Sequence, residues 1–153
     1  QASGVFAQGG VRVDGSELVA VEAPRNYHLF ETQRSRHIAR SLGLPKPTVY
    51  FVDDTRQQPA FDAEAIGRGN SRTRPELADT VWVTRATRDL GIALAHELAH
   101  VLMDDGTHAE DAGNLMREET APGNTRLSAT QCTRLRDKAS GYGLLRPLPA
   151  SAN

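Results

Sequence analysis

The stretch RDLGIALAHELAHVLMDDGTH, residues 88–108, decides how this chain is read. Leu90, Ile92, Ala93, Leu94, Leu98, Val101 and Leu102 make its first part apolar almost all round, which predicts a buried helix from Arg88 to about Met103. Thr87 offers an N-cap and Asp89 a carboxylate in the first turn. Asp104-Asp105-Gly106 ends the helix. Inside it, His96 and His100 stand four residues apart, on one face and about one turn from each other. Two imidazoles so placed can converge on one zinc ion at about 2.0–2.1 Å. Glu97 projects at a different angle, where a carboxylate can take a proton from a metal-activated water without ligating the metal. The plain alternative is a helix whose histidines bond only to carbonyls or solvent. Chance supplies a His-Glu-x-x-His string on the order of once in a few hundred chains of this size. Its position on a buried helix, where polar rings need a partner, sharpens the signal.

Catalytic zinc usually has three protein ligands and one open position. His108 is the choice for the third, because Gly106 lets the chain turn back sharply toward the metal. Asp104, Asp105, Glu110 and Asp111 are nearby competitors, read mainly as solvated loop charge. Their spacing is not that of a calcium loop. Glu118 and Glu119 lie about as far downstream as the glutamate ligand of thermolysin-like zinc hydrolases, and they define a second reading. A third reading is a catalytically inactive, zinc-stabilised binding module, against which Glu97 argues.

Outward from this helix the pattern is α+β. TVYFV (48–52) and TVWVT (80–84) are β-branched and aromatic, and read as strands. A helix is expected from Tyr27 to Leu42, stopped at Gly43, and a strand or hairpin over Val11–Ala23. Residues 53–79 read as a long loop with a short strand near Ala65–Arg68. Ser128 and Gln131 form a capping-box pattern for a closing helix that runs to about Ser140, with Gly141 as its stop. Residues 1–10 and 146–153 are expected to be flexible.

The chain has 153 residues, 39% of them hydrophobic and 24% charged, which fits a single globular domain, 1–153. A net charge of −1 with no basic run argues against nucleic acid as a partner. The apolar stretches are too short for a membrane span. Cys132 has no partner for an internal disulfide and reads as a small buried residue. Because the chain opens on Gln1, it reads as a processed product or an excised domain, and its start carries no information on secretion.

These residues resemble the metzincins, the clan of zinc peptidases with a methionine turn. The likeness rests on His96-Glu97-Leu98-Ala99-His100, then Gly106, His108 and Asn114-Leu115-Met116. The order of elements, a backing helix, strands, the active-site helix and a last helix, is also similar. The spacing departs from the clan motif: the stretch from His100 to Gly106 is three residues longer, and only Thr107 separates Gly106 from His108. No tyrosine follows Met116 by two residues. The resemblance implies a zinc endopeptidase acting on a peptide or protein, with Met116 in a turn beneath the metal. It also implies a substrate strand lying along Thr80–Thr84, and a pocket shaped by residues 117–126. It favours a secreted or periplasmic setting.

Overall fold

A computed structural model describes residues 1–148, and the chain is α+β. In order it runs α1 (Ala2–Ala7), β1 (Leu29–Phe30), α2 (Thr32–Leu42), β2 (Thr48–Phe51), β3 (Asp54–Thr55), β4 (Ala63–Ile66), β5 (Thr80–Val83), α3 (Leu90–Met103) and α4 (Ala129–Gly141). The principal sheet has the order β2-β5-β4, with β2 parallel and β4 antiparallel to β5. β5 is central because both its faces are apolar. Val81 and Val83 cluster with Val101 and Leu98 of α3, while Trp82 clusters with Phe30, Ile66 and Ala39 of α2. The two-residue alternation of a strand thus sends one set of side chains to each helix layer. Trp82 also stacks on Tyr50 of β2, with ring centres 4.2 Å apart, and donates its indole N–H to Thr80 Oγ1.

The strand expected near Ala65–Arg68 is β4, displaced by two residues. The helix expected from Tyr27 starts only at Thr32. Leu29 and Phe30 pair instead with Asp54 and Thr55 of β3, and Tyr27 lies in a single 3-10 turn. Gly43 stops α2 as expected, at φ 55° with its N–H on the Ala39 carbonyl.

Three expectations at the chain's ends need correction. Residues 1–10 are not loose: α1 places Val5 and Phe6, at 4% and 2% exposure, in a core with Ile92, Ala99 and Leu135. Small residues around them hid two adjacent apolar anchors on a short helix. Residues 11–23 form no strand or hairpin. Leu18 is 87% exposed, and the alternating valines find no neighbouring strand among the described residues. The closing helix ends at Gly141, and the left-handed glycine after it is Gly143, at φ 71°. Of the expected loose tail, residues 146–148 lie in no helix or strand and 149–153 lie outside the described residues. Among the described residues no helix is long and apolar enough to cross a membrane.

α3 is the centre of the molecule. It packs against the sheet on one side and against α1 and α4 on the other, so Ile92, Ala95, Ala99 and Val101 have no exposed surface. Its N-cap is Asp89, not Thr87, and Asp89 makes no side-chain capping bond. Thr87 Oγ1 bonds the Asp62 carbonyl instead, tying the loop before α3 to the loop before β4.

Candidate metal centre

His96 and His100 are carried by α3 at 3% and 9% exposure, and His108 is exposed on the segment that follows. One possible ligand atom from each of the three lies within 4.8 Å of the others. Ring centres are 4.6 Å apart for His96–His100, 5.4 Å for His96–His108 and 5.1 Å for His100–His108. The turn out of α3 does not use Gly106. Asp104 makes it, in the left-handed region at φ 48° and ψ 49°. The chain then passes Thr107 and His108, and Ala109 is fixed by its N–H on the Met116 carbonyl at 2.8 Å.

The hydrogen bonds of the two helix histidines define what the cluster can hold. His96 Nδ1 lies 2.8 Å from the Leu115 carbonyl, and His100 Nδ1 faces the Asp105 carbonyl. A carbonyl only accepts, so each Nδ1 carries the proton and each Nε2 keeps its lone pair. Those two Nε2 atoms are 2.9 Å apart. Two lone pairs at that distance repel unless a cation or an extra proton lies between them. Burial disfavours the extra proton: it is the main force pushing His100 down to about 4, and it lowers His96 as well. Neutral imidazoles with paired Nδ1–H groups and converging Nε2 atoms are the arrangement of metal-ligating histidines. Tetrahedral coordination at about 2.05 Å puts neighbouring nitrogens about 3.3 Å apart. The three histidines can therefore hold a metal ion.

The Asn114-Leu115-Met116 turn lies against this centre. Leu115 supplies the carbonyl that orients His96, and its own N–H bonds the Arg126 carbonyl at 2.7 Å. Met116 is 1% exposed and belongs to the α1–α3–α4 core, with its N–H on Asn114 Oδ1. Asn114 exchanges amide hydrogen bonds of 3.1 and 3.2 Å with Gln131. Gln131 is also the return half of the capping box with Ser128, so the first turn of α4 anchors the turn beside the three histidines.

Glu97 lines an open cleft of about 1040 Å³ together with the three histidines, β4, Glu118 and Thr120. Burial raises its carboxyl to about 7; the Ala65 backbone pulls the value down and the Glu64 charge pushes it further up. Residues 117–126 contribute to the cleft wall through Glu118 and Thr120. Neither Glu118 nor Glu119 joins the three-histidine group among the described residues. Asp104 and Asp105 are not the free loop charge they were expected to be. Asp104 accepts from the Tyr142 hydroxyl and Asp105 pairs with Arg134. Glu110 and Asp111 are exposed. Cys132 is buried, and His28 and His37 lie away from the cluster, His28 on the Ala23 carbonyl and His37 against Tyr27.

Glu64, the two carbonyls that orient the rings, and the Asn114–Gln131 pair were missed from sequence. A backbone acceptor carries no sequence signal, since every residue has one. Glu64 could have been found only by placing β4 correctly.

The Glu97 carboxyl has a consequence for stability without metal. Its raised pKa means the folded chain binds more protons than the unfolded chain between about pH 4.5 and 7. The contribution is complete below that window and is lost as pH rises through it. The lowered His100 acts oppositely, losing stability as pH falls from 6.5 to about 4. In metal-free protein the two slopes therefore offset each other. The Glu97→Gln substitution removes one of them. Its unfolding free energy relative to the wild type is expected to rise by on the order of 3 kcal/mol between pH 4.5 and 7, measured by urea denaturation. A difference that stays flat with pH contradicts the assigned burial of Glu97.

Comparison of the chain with protein-family models, with curated proteins and with solved structures finds no match.

Proposed function

We propose that this chain is a zinc-dependent endopeptidase of metzincin type, with His96, His100 and His108 as ligands, Glu97 as general base and Met116 in the turn beneath the metal. The observation that supports it most is the pair of Nε2 atoms 2.9 Å apart, with each ring's Nδ1 turned to a carbonyl, beside a cleft-lining carboxylate. Three imidazoles suit zinc among the common divalent ions. Zinc held there supplies Lewis acidity toward a peptide carbonyl and the water that attacks it. Glu97 takes the water's proton on its carboxylate and delivers it to the leaving amine nitrogen. A carboxyl near 7 when metal-free is poised for that exchange, and a nearby dication favours the carboxylate form that accepts the proton. The turn at 114–116 keeps His96 in the correct tautomer through the Leu115 carbonyl.

An extended substrate cannot pair with Thr80–Val83, because β5 has neighbours on both sides. The edge beside the cleft is β4, whose outer side pairs with no strand among the described residues, and the substrate is placed there. Glu118 and Glu119 stand outside the three-histidine group among the described residues, which favours His108 over the thermolysin-like ligand set.

The charge of the cleft bears on substrate preference. Asp62, Glu64, Asp89 and Glu118 line it without an ion pair among the described residues, and Arg88 is the lone Lys or Arg in its lining. Peptides carrying Lys or Arg near the scissile bond are expected to have kcat/KM about tenfold above matched Glu peptides. That ratio should shrink toward one near 1 M salt, where the screening length is about 3 Å. Digestion of a peptide library by the zinc-loaded chain, beside the Glu97→Gln variant, tests the reading. Equal cleavage by both proteins removes the proposed mechanism, and cleavage indifferent to charge removes the preference alone.

A further inference from the structure

Asp104 stands at the point where the chain leaves α3 for His108, in a left-handed conformation that residues with a Cβ seldom adopt. Its carboxylate is held from two directions. Oδ2 accepts the Tyr142 hydroxyl at 2.9 Å, and Oδ1 lies 3.4 Å from the Gly69 N–H. Gly67 allows the close approach, since a Cβ there would sit 3.0 Å from Oδ1. Tyr142 is itself fixed. The Arg68 guanidinium lies 4.1 Å from its ring centre, donates to its carbonyl at 3.1 Å, and pairs with the buried Asp79 at 2.9 Å. One residue on, Asp105 offers its carbonyl to His100 Nδ1, while its carboxylate pairs with Arg134 of α4 and accepts the Thr107 N–H at 3.0 Å. The short turn 104–107 therefore orients His100 at one end and leads into His108 at the other. It is gripped twice by α4 and the residue that follows it.

We propose that Tyr142 and Arg134 are positioning residues for the metal centre, acting through Asp104 and Asp105 to hold His100 and His108 in convergence. The inference rests on the metal-site reading above. It makes α4 and its end part of the site, although neither Tyr142 nor Arg134 lines the cleft. Groups that orient metal ligands through such contacts change metal affinity by about 10–100-fold when removed.

The test is metal affinity of the full chain by chelator competition, with cobalt absorption reporting ligand geometry. Tyr142→Phe keeps the ring but deletes the hydroxyl, and Arg134→Gln deletes the ion pair; a second route remains if either variant folds poorly. Each is expected to weaken zinc binding about tenfold and to alter the cobalt bands. Tyr142→Phe should add little in an Asp104→Ala background, because the acceptor of the Tyr142 hydroxyl is already gone there. Arg136→Gln is the control: it breaks a bond from α4 to the Gly9 carbonyl, away from the turn, and should leave affinity and spectrum unchanged. Unchanged affinity in both Tyr142→Phe and Arg134→Gln, or an equal loss in Arg136→Gln, overturns the inference while the metal site stands. A wild-type chain that takes up no cobalt overturns the site reading, and the inference with it.

Discussion

Glu97→Gln is expected to lower kcat about 10³-fold while zinc stays bound at one per chain. General acid–base groups contribute about 10²–10⁴-fold, and an amide of the same shape cannot take up the proton. Burial of Glu97 beside the Ala65 backbone gives the replacement a prepared position, so binding of substrate should change little. Steady-state kinetics on a single cleaved peptide, with zinc measured on the same sample, separates the two effects. A fall in kcat with KM nearly constant marks a group that acts in the transition state. Loss of zinc in this variant would instead make Glu97 a ligand and overturn its assigned role.

His108→Ala is expected to weaken zinc binding by roughly 10³-fold, about 4 kcal/mol. His108 is exposed and leaves no cavity when truncated, so the fold should survive and metal-free stability should barely move. Glu118→Ala and Glu119→Ala are expected to keep wild-type affinity, because neither residue joins the cluster. Competition against a chelator of known affinity reads all three. An affinity loss in Glu119→Ala with none in His108→Ala would restore the thermolysin-like ligand set and displace His108.

Where the sequence was legible, and where not, follows from the physics of each element. His96, Glu97 and His100 could be read because one helix carries them and helical spacing alone brings the rings together. The capping box at Ser128 and Gln131 is equally local, and it forms as read. The cores of β2 and β5 were visible in β-branched and aromatic runs. Long-range placement was hidden. Nothing in TVWVT says that β4 will cover its second edge, so the sequence could not show that Thr80–Val83 has strands on both sides. The turn after α3 was assigned to Gly106, yet Asp104 makes it in the left-handed region, with its carboxylate held by Tyr142 and Gly69. Those contacts come from residues 38 and 35 positions away and leave no local trace. α1 was read as loose for a related reason: its two anchors gain their value only from a core built by α3 and α4.

Three imidazole nitrogens holding one dication, with a coordination place left open, is the arrangement on which the proposed function stands. Zinc-edge X-ray absorption on the full chain, loaded with one equivalent of zinc and dialysed, tests it most directly. One zinc per chain should be retained, with three nitrogen neighbours and one oxygen at about 2.0–2.1 Å. Zinc that washes out, or a shell dominated by carboxylate oxygens, contradicts it.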